Sequence, residues 1–135
     1  MSDDVAERSA RQALILLIPD LFFSVKVADV ARALGYQTRE VANADALVAA
    51  AREGIRGVVL DTQERSDWQA AVRTLKSDPA TASVPILAFG SHVDVAATRA
   101  AVAAGCDRLV TRGKFSQELP QLLQSLFVPT SDSSV

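Results

Sequence analysis

Five short apolar runs, each followed by a stretch of helical periodicity, fix the fold class of this chain before any single residue does. "ALILLI" over residues 13–18 is continuous and β-compatible, as a strand covered on both faces must be. Phe23, Val27, Val30 and Leu34 then recur at helical spacing and stop at Gly35, a left-handed helix end. "YQTREV" over 36–41 follows as a short strand, less apolar and so nearer a sheet edge. Asn43 is placed to cap the next helix, whose inward stripe of Leu47, Val48 and Ala51 runs up to Gly54. "GVVLD" over 57–61 is the most central strand and closes on Asp61. Ser66 and Gln69 have the spacing of a capping box, with Trp68, Val72 and Leu75 on one face behind them. "PILAFG" over 85–90 is a fourth strand that tolerates Pro85 at its first residue. An alanine-dense helix over 94–104 ends at Gly105, and "RLV" over 108–110 is the fifth strand. Leu119, Leu122, Leu123 and Leu126 mark a last helix, which Pro120 allows only if it starts near Gln117.

Five βα units with short connections predict an α/β fold: a doubly wound (βα)5 three-layer sandwich around a five-stranded parallel sheet. The chain reads as one domain over 13–127, between a polar lead-in at 1–12 and a polar tail at 128–135. Ligands of such sheets sit at the carboxyl ends of the strands. Asp20, Asp61, Gly90, Ser91, His92 and the segment 111–114 all fall there.

Fourteen basic against sixteen acidic side chains leave a net charge of -2, without the polycationic surface that nucleic acid or an anionic membrane would select. The apolar run at 13–18 is far short of a bilayer span, and no targeting pattern opens the chain, so a cytoplasmic location is expected. One cysteine, Cys106, and one histidine, His92, exclude an intramolecular disulfide and any multi-cysteine or multi-histidine metal site. Cys106 is expected to pack as a small hydrophobe. No cofactor is expected. Phe22 and Phe23 cannot both face inward, so one is expected as an exposed contact.

From about residue 13 to residue 127 the sequence resembles the CheY-like receiver domains of response regulators. "LFFSVKVADVARALGY" resembles their first helix, "GVVLD" the phosphoacceptor strand, "PILAFG" the fourth strand and "AAGCDRLVTRGKF" the stretch that holds their conserved lysine. The resemblance implies a signalling module, not an enzyme, with Asp61 at the phosphoacceptor position and a pocket of Asp20, Gly90, Ser91 and Arg112. It also implies departures. Ile18 and Pro19 stand where the family has two metal-holding acids, and Gly90 stands where it has a threonine or serine. Arg112 replaces the lysine, Gly113 the proline after it, and Leu109 the switching aromatic. A magnesium ion wants carboxylate and water oxygens, which Ile18 and Pro19 do not supply.

No metal site is therefore expected, and Asp20 is read as a helix cap. Arg112 is expected to clamp Asp61 bidentately in the metal's place. The preferred reading is an atypical receiver that acts through protein contacts, without normal magnesium-dependent phosphorylation. Its partner would be a sensor kinase or an output protein, since no output domain is expected in this chain, and a homodimer is possible. By resemblance the docking surface would be Val95, Arg99, Val102, Leu109 and Leu122. Two alternatives stand beside it: a functional phosphoacceptor modified on Asp61, and a small-molecule or anion-binding module.

Overall fold

The computed structural model describes residues 13–91 and 95–127. Five strands, β1 (Ala13–Leu17), β2 (Gln37–Glu40), β3 (Gly57–Asp61), β4 (Ile86–Gly90) and β5 (Arg108–Thr111), form one parallel sheet in the order β2-β1-β3-β4-β5. Between and after them run α1 (Leu21–Ala33), α2 (Ala44–Ala51), α3 (Trp68–Ser77), α4 (Val95–Ala104), α5 (Arg112–Gln117) and α6 (Leu119–Leu126). This is the doubly wound sandwich that the alternation of runs predicts. Every residue of β1, β3 and β4 is buried, whereas three of the four residues of the edge strand β2 are exposed.

Side-chain alternation along the strands divides the core in two. Leu14, Leu16, Val59, Leu87 and Phe89 face α1, α5 and α6, where they meet Val27, Ala31, Phe115, Leu119 and Leu123. Ile15, Leu17, Val58, Leu60, Ile86 and Ala88 face α2, α3 and α4, where they meet Leu47, Val72, Leu75 and Ala101. The alanines of α4 that turn inward, Ala101 and Ala104, let that helix lie close to the sheet.

Local chemistry sets the boundaries. Asn43 accepts from the Ala46 N–H at the start of α2, and Gly35, Gly54 and Gly105 take the positive φ expected of helix ends. Two boundaries differ from the sequence reading. Asp67, not Ser66, caps α3 by accepting from the Ala70 N–H, while Ser66 accepts from the Ala44 N–H and donates to Glu64, tying two loops together. The last helix is two. Thr111 caps the six-residue α5, and α6 begins only at Leu119, with Pro120 in its first turn where no amide bond is lost.

At the amino edge of the sheet, Asp107 Oδ2 accepts both the Ile86 N–H at 2.7 Å and Lys76 Nζ at 3.0 Å, and Lys76 also donates to Val84 O. The Phe127 ring lies directly on Gly57, and the Tyr36 hydroxyl donates to the Phe127 carbonyl. Both clusters lie away from the carboxyl edge and serve the fold.

Candidate functional site

Asp61 is the last residue of β3 and only 3% exposed. Two residues beyond Val59, it shares the side of the sheet that carries α1 and α5. Its Oδ1 accepts the Gln63 N–H at 2.9 Å, and the Gln63 side-chain amide donates to Ser91 Oγ at 3.0 Å. The loop after Asp61 is fixed from two directions: the Thr62 N–H donates to Phe89 O at 2.9 Å, and Trp68 Nε1 donates to Thr62 O at 3.1 Å.

Asp20 leaves β1 through Ile18 and Pro19 and caps α1, its Oδ1 accepting the Phe23 N–H at 3.2 Å. Its other oxygen, Oδ2, accepts from Arg112 Nη2 at 2.9 Å. The guanidinium also lies 4.2 Å over the centre of the Phe23 ring. Beneath Phe23 are Phe89, 5.3 Å between centres, and Phe115, 5.7 Å; those two stack at 4.3 Å. Phe89 is the register partner of Asp61. Arg112 follows β5 and Asp20 follows β1, with β3 and β4 between them. At about 4.8 Å per strand, the ion pair joins two points roughly 14 Å apart in the sheet and spans the edge where Asp61 lies.

The sequence reading put Arg112 on Asp61, and that is corrected here: the guanidinium is bound to Asp20. The reason is the N-cap, which fixes Asp20 at the mouth of the edge, whereas Asp61 is recessed at the end of a buried strand. Asp20 as a helix cap is borne out, and the pair brings Asp20 and Arg112 together as pocket neighbours. Gly90 ends β4 beside this edge, and Ser91 is joined to it through Gln63. His92 and Val93 lie outside the described residues. Of the expected docking residues, Val95 and Val102 are 67% and 64% exposed and Arg99 is exposed. Leu122 is not: at 2% exposure it is core, because α6 turns Leu119, Leu122 and Leu123 together toward the sheet. Leu109 is half-buried against the α2–α4 side. Cys106 is buried, and burial pushes its thiol up to about 11, so it packs as a hydrophobe.

Sequence reasoning missed Thr62. A Cβ built on Gly90 would collide with Thr62 Oγ1, so the threonine occupies the space where a side chain of residue 90 would begin. A glycine at the end of a buried strand, with a threonine just past the end of the neighbouring one, is the signal that was available.

The charges follow from these contacts. Burial pushes the Asp61 carboxyl above its usual range, against the Gln63 N–H and Arg112, which pull it down; Asp20 and Glu64 add to the rise. Asp20 is held below its usual range by the Phe23 N–H and then by Arg112. For an acid raised on folding, the stabilisation is complete below the unfolded value, about 4, and is lost as pH rises through the folded value. Asp61→Asn is therefore expected to melt at a higher temperature than wild type at pH 7, with the two converging below about pH 4. Calorimetry across that range checks it, and a variant less stable at pH 7 would contradict the assignment.

A divalent cation, which the receiver fold implies, does not fit these donors. Ile18 is buried and apolar, Pro19 has no side-chain oxygen, and the Asp20 carboxylate is committed to a backbone N–H and a guanidinium.

Neither a family model nor a curated protein matches the chain by sequence. Solved structures do match. The receiver domain of a sensor histidine kinase from Pseudomonas aeruginosa, determined with magnesium in its active-site cleft, superposes with a TM-score of 0.76 at 20% identity, over 87% of this chain and 98% of that one. The chemotaxis protein CheY4 of Vibrio cholerae gives 0.75 at 14% identity, over 84% and 97%. A CheY-like receiver domain protein from Methanospirillum hungatei gives 0.73 at 9% identity, over 84% and 91%. The chain thus has the fold of the CheY-like response-regulator receiver domains.

Proposed function

We propose that this protein is an atypical receiver module of two-component signalling, acting in the cytoplasm through contacts with a sensor kinase or an output protein. Asp61 holds the phosphoacceptor position, and the normal magnesium-dependent phosphorylation is absent. The observation that carries the reading is the Asp20–Arg112 ion pair. It puts a fixed cation at the mouth of the strand edge and commits the Asp20 carboxylate, which a metal beside Asp61 would otherwise draw on. The exposed face of α4, with Val95, Arg99 and Val102 at helical spacing, supports a docking role, as does the first turn of α1, where Leu21 and Phe22 are 73% and 91% exposed. No helix among the described residues is long and apolar enough to cross a membrane.

Trp68 provides the test, since its indole is bonded to the carbonyl of the residue after Asp61. Titration with millimolar magnesium is expected to change tryptophan emission no more in wild type than in Asp61→Asn. A saturable response confined to wild type would show a working metal site and overturn the proposal.

A further inference from the structure

We infer that the face made by α2 and α3 pairs with the same face of a second copy of this chain, the helices of the two copies running antiparallel, so that the acids at one end meet the arginines at the other. The surface is separate from the Asp61 edge and from the outer face of α4, and the inference does not depend on the receiver reading.

α2 and α3 pack on one side of the sheet and, each following a parallel strand, run in the same direction. They bury Leu47, Ala50, Val72 and Leu75 and turn a second face outward. The middle of that face is small and weakly polar: Ala49 and Thr74 are exposed, and Val48 and Ala70 are half-buried. Side chains of this size let a facing helix come close. Between the two helices a groove past Val48, Ala70 and Thr74 opens at one end on Asp45 and Asp67. Its continuation, which shares Ala70 and Thr74, ends on Arg52 and Arg73.

The charges are thus sorted along the helices. Asp45 and Arg52 are seven residues apart, two turns, and so lie on one stripe about 10 Å from each other along the axis. Neither Arg52 nor Arg73 takes part in the ion pairs found among the described residues. The acids at their end are engaged elsewhere: Glu53 pairs with Arg39, and Asp78 Oδ1 accepts the Ala80 N–H. A face with one sign at each end of two parallel helices is complementary to itself. A two-fold axis lying across the helices sets each acidic end on the partner's basic end and makes every pair twice, whereas an axis along them sets like on like. The first arrangement also brings opposite helix dipole ends together.

The same charges suit the dipole of each helix in a monomer, so stability cannot test the pairing, and a charge swap can. Sedimentation velocity of the full chain, from micromolar to millimolar concentration at low salt, reads the association. Wild type is expected to pass from monomer to dimer across that range and to dissociate as salt is raised. Asp45→Arg and Arg52→Glu, each alone, are expected to weaken the dimer by about tenfold or more, since each sets like charges together at two symmetric places. An equimolar mixture of the two variants is expected to associate again, because every facing pair is then opposite in sign. Thermal unfolding of each variant confirms that it is folded. A wild type that stays monomeric throughout overturns the inference. So does a dimer that neither variant weakens, or one that Val102→Glu breaks in their place, which would put the interface on α4. Two monomeric variants whose mixture stays monomeric overturn it as well. None of these results bears on the receiver reading, which the magnesium titration tests.

Discussion

Gly57→Val is expected to cost about 3 kcal/mol of stability and to lower the midpoint of thermal unfolding by roughly 10 °C. Gly57 begins β3, the strand between β1 and β4, and the Phe127 ring lies directly on it. The ring is core, at 1% exposure, and its backbone is held by the Tyr36 hydroxyl on the Phe127 carbonyl and by the Phe127 N–H donating to Leu123 O at 3.0 Å, so little room is left for it to turn aside. Overpacking here must lift the end of α6 or distort a central strand. Urea denaturation of the single variants and of the pair Gly57→Val with Phe127→Ala checks the cause, since truncating the ring should relieve part of the valine's cost and make the two effects less than additive. Full additivity would place the damage elsewhere.

Phe89→Ala is expected to be at least as costly, about 4 kcal/mol, and Phe89→Leu to cost about 1 kcal/mol. Phe89 is fully buried, stacks on Phe115 and supports Phe23, so alanine removes both the transfer energy of the ring and two aromatic contacts. Fold and site meet at this residue. Phe23 is the surface on which Arg112 rests, so the alanine variant should also loosen the guanidinium from Asp20. A lower urea midpoint with an unchanged slope is the expected measurement. A loss below about 1 kcal/mol in Phe89→Ala would mean that the aromatic cluster contributes little.

The fold was legible because its signals are periodic and local. Continuous apolar runs mark β1, β3 and β4, and the Leu–Ala stripe of α2 and the Trp68, Val72, Leu75 stripe of α3 both point where their spacing implies. What was not legible is short or non-local. α5 escaped notice because its six residues include a glycine and bury only Phe115, too little periodicity to register, although Thr111 four residues before that phenylalanine is a cap signal. Leu122 was misplaced because four leucines in one short helix do not say which of them face the sheet. The partner of Arg112 lies 92 residues away, and only the strand order brings it near. A guanidinium close to two carboxylates pairs with the one whose position is already fixed at the rim, and sequence alone does not rank them.

The collision between a side chain at residue 90 and the hydroxyl of Thr62 has a consequence for how this site can change over time. Side chains at 62 and 90 compete for one volume, so a lineage acquiring serine or threonine at 90 must also turn the Thr62 hydroxyl aside or place a smaller residue at 62. The two positions should therefore drift as a linked pair, each constraining what the other is free to become.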